Sequence, residues 1–311
     1  MRPLSFCLSL ALVLGAHVVC LRAEPREWTS SDGRKMTAEY VSSTATDVSI
    51  KLPDGRAFTL GIDKLSAEDQ AWVKERALQP GKPLDGPFAP LMTGDWALSE
   101  RGALPFAIFG GSNLDAGKEY PLVLALHGRS KNAENGKQVA GWMKSFTSPE
   151  AQEARPCIVV APLGYQPFGG EGTAWSNQPG MDAMELVEDL IRNLPIDEDR
   201  IYAVGYSMGG FGACHLMNTH PKVFAAGVAV AGCTDPSSAP TFKKAPLWLH
   251  HAVDDAVVEV ACSRSLAEAL KREEDCRYTE YETGGHGISG QVFANPEVHE
   301  WLFRFGVKEA R

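Results

Sequence analysis

Short apolar runs alternate with longer amphipathic stretches over residues 95–307. Residues 121–126 and 157–161 are uninterrupted apolar runs, as a strand buried on both faces requires. Residues 182–193 instead place apolar side chains at helical spacing on one face. Because strands separated by helices usually pair in parallel, this pattern predicts an α/β fold, a mainly parallel sheet with helices on both faces. The predicted strands are residues 121–126, 157–161, 201–204, 227–230, 247–250 and 278–282, and the predicted helices are residues 182–193, 208–219, 263–272 and 297–305.

Residues 26–78 follow a different pattern, in which short alternating polar and apolar runs are separated by turn residues. Asp32-Gly33 and Pro53-Asp54-Gly55 mark tight turns between predicted strands. Ser66 then fits the N-cap of a helix, with the carboxylate of Asp69 in a capping-box-like position. The pattern predicts a small β-barrel-like module that ends in a helix.

This module resembles the Sla homology module, a small β-barrel found near the start of many exported bacterial proteins. The resemblance rests on Trp28-Thr29-Ser30, Asp32-Gly33-Arg34, Asp54-Gly55-Arg56 and residues 64–70. It implies a binding or spacer role and no catalytic one, so we expect the module to bind a surface or another protein. Residues 79–94, rich in Pro and Gly, have the composition of a linker to residues 95–307.

The first residues have the pattern of a targeting signal. Met1 and Arg2 give a short positive start, an apolar stretch follows, and Ala23 offers a small residue before a polar run. We interpret residues 1–23 as a secretory signal peptide that is cut near Ala23. An uncleaved membrane anchor is the alternative, but the apolar stretch is short and interrupted. We therefore expect an exported protein, periplasmic or extracellular, with no membrane span after cleavage.

Composition and charge narrow the classes of partner. The chain has 311 residues and a formal net charge of −9, with no basic stripe, which argues against nucleic acid or an anionic membrane as the main partner. The cysteines beyond the signal form no metal-ligand motif and suggest no disulfide framework, so their pairing stays open. We expect no metal and no organic cofactor. These cysteines are Cys157, Cys214, Cys233, Cys262 and Cys276.

The strongest chemical signal is the hexapeptide Gly205-Tyr206-Ser207-Met208-Gly209-Gly210, which lies where a predicted strand ends and a predicted helix begins. A nucleophile on such a sharp turn needs small neighbours, because the helix passes close to the strand. The turn raises the Ser207 hydroxyl above the sheet and aims the first N–H groups of the helix towards a substrate. A chance match to G-x-S-x-G is the alternative, and the flanking strand and helix argue against it.

Serine is a weak nucleophile at neutral pH and needs a base. In this type of site the partners follow in the order Ser, acid, His, and His286 lies among glycines after the last predicted strand. The acid should follow the strand at residues 247–250, where Asp254 and Asp255 both qualify. Ser207, His286 and one of these aspartates are therefore the candidate catalytic residues.

An oxyanion hole needs two backbone donors aimed at the developing charge. We expect them to be the N–H groups of Met208, at the start of the helix, and of Arg129, in the loop after residues 121–126. His127, in the same loop, is interpreted as structural. Trp175 lies in a loop after a strand on the active-site side, so it is a candidate to line an aromatic acyl pocket, with ordinary packing as the alternative.

Residues 96–305 resemble the carboxylesterase and polyhydroxybutyrate-depolymerase-like branch of the α/β-hydrolases. The matching stretches are Leu126-His127-Gly128, residues 196–202, residues 205–212, residues 251–258, Gly285-His286-Gly287 and Trp301-Leu302-Phe303. The resemblance implies an α/β-hydrolase fold, a Ser-Asp-His triad and hydrolysis of carboxylic esters, with some relatives acting as peptidases.

The spacing of residues in the related sequences indicates which of the two aspartates is the catalytic acid. In related sequences the acid lies four residues after a strand-end histidine and two before a pair of β-branched or leucine residues. Counting from His251 implies Asp255, with the pair Val257-Val258 at the expected offset. Ala252 and Glu259 depart from the family pattern, and both lie in the acid loop.

These features predict an exported serine hydrolase that cleaves a small-molecule or polymer-linked carboxylic ester through an acyl-enzyme. A serine peptidase of the same fold, of the prolyl oligopeptidase type, would use the same triad and is the nearest alternative. A binding protein with a catalytically silent hydrolase domain is the second alternative, and the intact order of Ser, Asp and His argues against it.

Overall fold

The computed structural model describes residues 26–43, 47–53, 56–77, 86–111, 114, 118–129, 134–164 and 174–306. The chain divides into two compact units, Met1–Gln79 and Pro80–Arg311. The predicted signal peptide at residues 1–23 lies outside the described residues, as do the Asp54-Gly55 turn and residues 79–85 of the predicted linker.

The first unit is an antiparallel sheet followed by a helix. Its strands β1 (Arg26–Thr29), β2 (Lys35–Ser43), β3 (Asp47–Lys51) and β4 (Ala57–Gly61) pair in sequence order, and helix α1 (Ala67–Ala77) follows. The Ser66 hydroxyl accepts a hydrogen bond from the Asp69 N–H at 3.2 Å, as expected of an N-cap. The likeness to the Sla homology module stays a prediction. The buried cluster of this unit contains Trp28, Ala38, Val48, Ile50, Ile62, Leu65 and Val73.

The second unit is built on an eight-stranded sheet with the order β12-β11-β10-β9-β7-β8-β6-β5. Strand β6 pairs antiparallel with both β5 and β8, and the remaining neighbours pair in parallel. The predicted mainly parallel sheet is therefore confirmed. The strands are β5 (Ala97–Arg101), β6 (Leu104–Phe109), β7 (Tyr120–Leu126), β8 (Ile158–Pro162), β9 (Ile196–Tyr206), β10 (Ala226–Val230), β11 (Leu247–Ala252) and β12 (Arg277–Tyr281).

Helices cover both faces of this sheet. Alternate side chains of β7 enter different buried clusters, because successive residues of a strand point to opposite faces. Leu122, Leu124 and Leu126 join the cluster that contains residues of α4, α5 and α6, whereas Val123 and Ala125 join the cluster that contains residues of α2, α7 and α8. The helices are α2 (Lys144–Thr147), α3 (Pro149–Ala154), α4 (Gln178–Asn193), α5 (Met208–Thr219), α6 (Val260–Leu270), α7 (Ser289–Ala294) and α8 (Pro296–Phe303).

The strands β5 and β6 and the short helices α2, α3 and α7 were missed by the pattern of apolar residues. Strand β5 ends the sheet, and its residues are half-buried or exposed, so its hydrophobic signal is weak. The end of the predicted linker also differs from the structure. Phe88 packs against the core of the second unit and Met92 is buried in it, so residues 86–94 belong to that unit.

The structure pairs two cysteines whose pairing the sequence left open. A disulfide joins Cys233, after β10, to Cys262 in α6. Cys157 and Cys214 are buried thiols, and burial raises the pKa of each to about 12, which keeps both protonated at neutral pH.

Candidate active site

Ser207 occupies a strained turn between β9 and α5. Its φ of 54° and ψ of −119° lie in a region that residues with a side chain rarely adopt. The turn persists because the chain around it is packed without spare room: a Cβ on Gly209 would lie 1.9 Å from the Leu126 carbonyl oxygen, and one on Gly205 would lie 2.0 Å from the Gly209 carbonyl oxygen. Glycine is therefore required at both positions, as the sequence motif predicted. The Ser207 N–H is satisfied by the Val230 carbonyl at 2.8 Å.

His286 connects the serine to an aspartate. Its Nε2 lies 2.8 Å from Ser207 Oγ, and its Nδ1 lies 2.8 Å from Asp255 Oδ2. An ionised carboxylate only accepts hydrogen bonds, so Nδ1 carries a proton, and Nε2 of a neutral ring then accepts the Ser207 hydroxyl. The loop reaches this position through Gly284 and Gly285, whose φ values are 132° and 57°.

The carboxylate of Asp255 is fully buried and richly hydrogen-bonded. Its Oδ1 accepts the N–H groups of Val257 at 2.8 Å and Val258 at 3.0 Å. Burial alone would raise the pKa of Asp255, but the hydrogen bonds from His286 and from these backbone groups outweigh it and lower the pKa. The carboxylate is therefore held in its ionised form.

Asp254 binds a different part of the same loop. Its Oδ1 accepts the Gly285 N–H at 2.7 Å and its Oδ2 accepts the Gly284 N–H at 3.3 Å. Of the two aspartates left open by the order of partners, Asp255 contacts the imidazole and Asp254 fixes the backbone that carries it.

The loop after β7 passes beside the nucleophile turn. A Cβ on Gly128 would lie 3.1 Å from the Tyr206 ring, and His127 holds the loop in place. Its Nε2 accepts the Gly164 N–H at 2.9 Å, so Nδ1 carries the proton and donates to the Gly128 carbonyl at 2.5 Å. Burial lowers the pKa of His127, which keeps the ring in this neutral form. This placement agrees with a structural role for His127.

Met208 and Arg129 are the predicted oxyanion donors. Met208 is the first residue of α5, directly after Ser207, and Arg129 lies beside Gly128 in the loop after β7. The structure thus brings both backbone segments to the nucleophile turn, and their donor role stays a prediction.

Trp175 lies beneath this loop and has no exposed surface. Its ring centroid is 5.3 Å from that of His127, and its Nε1 donates to the His127 carbonyl at 3.4 Å. A Cβ on Gly212 of α5 would lie 2.6 Å from the same indole. The placement favours the packing alternative over a wall of an acyl pocket.

An open cleft lies between the Gly128-Arg129 loop and the start of α7. Its volume is about 540 Å³, and its wall includes Arg129, Lys137, Trp142, Tyr206 and Gly290. Tyr206 also packs against the His286 ring, with centroids 5.1 Å apart, which places the cleft beside the hydrogen-bonded triad.

The site contains no preformed metal centre among the residues that the structure describes. Within them, no group of three or more His, Cys, Asp or Glu side chains is arranged to hold a metal ion.

Among the residues that the structure describes, no helix is long and apolar enough to cross a membrane.

Comparison with known proteins finds a family model that matches the region around Ser207. Residues 172–243, which include Ser207, match the model of the prolyl oligopeptidase family. The chain is 30% identical to dipeptidyl-peptidase 5 of Porphyromonas gingivalis over 128 residues, which are 39% of this chain and 18% of that protein. It is 26% identical over 187 residues to a protein named probable feruloyl esterase C from Aspergillus niger, covering 57% of this chain and 64% of that protein. The chain thus spans 18% of the length of the first relative and 64% of the length of the second.

A solved structure extends the comparison to most of the chain. The crystal structure of a thermostable esterase is similar with a TM-score of 0.63 and 24% identity, covering 90% of this chain and 89% of that one. This chain has the α/β-hydrolase fold. The predicted fold class is confirmed.

Proposed function

We propose that this chain is an exported serine hydrolase that cleaves carboxylic esters through an acyl-enzyme. The observation that carries the proposal is the unbroken hydrogen-bond chain from Ser207 Oγ through His286 to Asp255, with both links at 2.8 Å. A nucleophile, a base and an orienting acid in this order are the parts that acyl transfer by serine requires. Export is supported by the signal-like pattern of residues 1–23.

In the proposed reaction Ser207 Oγ attacks the ester carbonyl carbon while His286 Nε2 takes the hydroxyl proton. The resulting imidazolium donates that proton to the departing alcohol oxygen, which leaves the acyl group on Ser207. Water then attacks the acyl carbon as His286 Nε2 accepts its proton, and the imidazolium returns that proton to Ser207 Oγ as the bond to the acyl group breaks and the acid leaves. Asp255 remains ionised throughout, so it favours the imidazolium and holds the ring in the productive orientation.

The N–H groups of Met208 and Arg129 are proposed to stabilise the negative oxygen of the tetrahedral intermediate. Met208 N–H is the first donor of a helix of 12 residues, where unsatisfied N–H groups and the helix dipole favour negative charge. The neighbouring loop is fixed by His127, so its backbone would not need to reorganise during the reaction.

Peptide hydrolysis by the same triad is the second candidate. The match of residues 172–243 to the prolyl oligopeptidase family and the likeness to a dipeptidyl-peptidase favour it. The likeness to a protein named as a feruloyl esterase favours ester cleavage and adds feruloyl esters to the substrates to be tested. The first unit contains none of the candidate catalytic residues, and we propose that it binds a surface or another protein.

The test combines active-site labelling with paired substrates. A fluorophosphonate probe should label the wild-type chain at Ser207, located by peptide mass analysis, and should leave Ser207→Ala unlabelled. Ser265→Ala is the matched control, because it removes an exposed hydroxyl of α6 that bonds only its own helix. An ester and an anilide of the same acyl group then separate the two candidates. Faster cleavage of the anilide would favour the peptidase, and absence of both labelling and turnover would refute a hydrolase.

A further inference from the structure

A second imidazole contacts the carboxylate of Asp255. His251, on β11, is fully buried, and its Nε2 lies 3.2 Å from Asp255 Oδ2. The same nitrogen lies 3.0 Å from the Val258 carbonyl oxygen. Asp255 Oδ2 therefore faces two histidine rings, that of His286 at 2.8 Å and that of His251.

The proton positions on His251 follow from its neighbours. A carboxylate and a backbone carbonyl only accept hydrogen bonds, so Nε2 must carry a proton. On the other side of the ring, Nδ1 lies 2.8 Å from Ser263 Oγ. In the neutral ring Nδ1 accepts the serine hydroxyl and Nε2–H donates to the Val258 carbonyl, so the favoured tautomer also points a positive N–H edge at the Asp255 carboxylate.

The far end of this arrangement is anchored. Ser263 follows Cys262, whose disulfide to Cys233 ties α6 to the segment after β10. Hydrogen-bonded side chains whose own partners are fixed hold their orientation better than isolated ones, because each lost bond leaves a buried polar group unpaired.

With His251 included, polar groups contact both oxygens of the Asp255 carboxylate. Its Oδ1 accepts two backbone N–H groups, from Val257 and Val258, and its Oδ2 accepts His286 Nδ1–H and lies 3.2 Å from His251 Nε2. Removing the His251 imidazole would take away the polar neighbour of Oδ2 and allow the carboxylate to rotate away from His286. His286, the general base, would then lose the partner that fixes its orientation.

We propose that His251 is a positioning residue of the reactive centre, which holds the Asp255 carboxylate in the orientation that orders His286. The role rests on the proposed function, since it matters only if Ser207 is activated by His286. If His251 acts through Asp255, substitution of His251 should no longer change the rate once Asp255 has itself been replaced.

The chain offers a matched set of substitutions. His251→Gln places an amide N–H near the position of Nε2, whereas His251→Asn places one near Nδ1 and cannot reach Asp255. His251→Phe keeps a ring and removes both nitrogens. The readouts are the rate of fluorophosphonate labelling of Ser207 and kcat and KM on one ester, with thermal unfolding as the check on folding.

We expect His251→Phe and His251→Asn to slow labelling and lower kcat by about 10- to 100-fold with little change in KM, by analogy with the loss of activity when an outer partner of a metal ligand is removed. His251→Gln should remain within about threefold of wild type. In an Asp255→Asn background, labelled over longer times, His251→Phe should add no more than about a twofold loss, because residues that act through one another are not additive.

Three outcomes decide the matter. Equal rates for wild type, His251→Asn and His251→Phe would overturn the role, as would a loss of the same size in the Asp255→Asn background, which would mark His251 as a packing residue only. If His251→Phe does not fold, the comparison of His251→Gln with His251→Asn is sufficient, and equal rates for these two variants would overturn the role. Failure of the wild-type chain to label at Ser207 would instead overturn the proposed function, and this role with it.

Discussion

Asp254 and Asp255 are neighbours in the chain, yet their carboxylates bind different parts of the loop that carries His286. Asp255 Oδ2 accepts the imidazole Nδ1–H at 2.8 Å, and Asp254 Oδ1 accepts the backbone N–H of Gly285 at 2.7 Å. The loop is thus held both by its backbone and by its functional side chain. The two residues differ in burial as well, because Asp254 is exposed and the Asp255 side chain is fully buried.

The first prediction separates these two roles. Asp255→Asn should lower kcat by about a thousandfold to ten-thousandfold, since the imidazole can then adopt the wrong tautomer. Asp254→Asn retains an oxygen that can accept one glycine N–H, so we expect kcat to fall by no more than about tenfold. The main effect of this substitution should be a less ordered loop. Steady-state kinetics on one ester measure both. A severe defect in Asp254→Asn beside a mild one in Asp255→Asn would reverse the assignment.

The second prediction concerns the room around the nucleophile turn. Gly209→Ala would place a Cβ 1.9 Å from the Leu126 carbonyl oxygen, and backbone on both sides would have to move. We expect destabilisation of at least about 2 kcal/mol, typical of overpacking at a backbone contact, and loss of Ser207 labelling. Urea unfolding of purified variants measures the first effect. Gly141→Ala is the stability control, because no atom of another part of the chain lies within 4 Å of the position its Cβ would take, and a similar loss in both variants would contradict the steric argument.

The third prediction uses a buried histidine that the proposed reaction does not need. His250 packs between Trp248 and Tyr281, and burial lowers its pKa to about 3 from the ordinary 6.5. The unfolded chain binds this proton at higher pH than the folded chain does. The stability that neutral His250 contributes is therefore complete above pH 6.5 and declines as the pH falls towards 3, by at most about 1.4 kcal/mol per pH unit.

His250→Phe provides the comparison for this effect, because it keeps an aromatic ring in the stack and cannot be protonated. As the pH falls from 7 to 4, the wild type should lose more unfolding free energy than the variant does. Urea unfolding of both proteins at each pH measures this loss. Parallel pH dependence in the two proteins would show that His250 does not titrate between the folded and unfolded states.

The fourth prediction concerns the boundary between the two units. All candidate catalytic residues lie in the second unit, so removal of residues 24–79 should leave turnover of a small soluble ester within about twofold of the full chain. Extending the deletion through residue 94 also removes Phe88 and the buried Met92, and we expect a further loss of about 2–5 kcal/mol. Thermal unfolding and ester kinetics of the two deletions test this. Equal stability of the two would show that residues 86–94 are dispensable to the core.

Much of the fold could be predicted because its determinants are local. Uninterrupted apolar runs such as residues 121–126 are found as central strands, since a strand covered by helices on both faces has no polar side to show. Strand β5 was missed for the opposite reason, because an edge strand has fewer neighbours and its sequence carries polar residues. The boundary of the linker was also misplaced, as Pro and Gly at residues 80–87 do not reveal that Phe88 and Met92 pack on the core.

By itself the sequence determined the turn around Ser207, because the glycines at 205 and 209 and the flanking strand and helix are all close in the chain. It also determined the order of the partners and the alternation that leads to a parallel sheet. Only the tertiary structure decided which atoms meet: that Trp175 is buried under His127, that Cys233 bonds Cys262, and that His251 reaches the same carboxylate oxygen as His286. Local patterns depend on neighbours within a few residues, whereas these contacts join segments far apart in the chain, or depend on the path of a turn, and they form only when the sheet and its loops are closed.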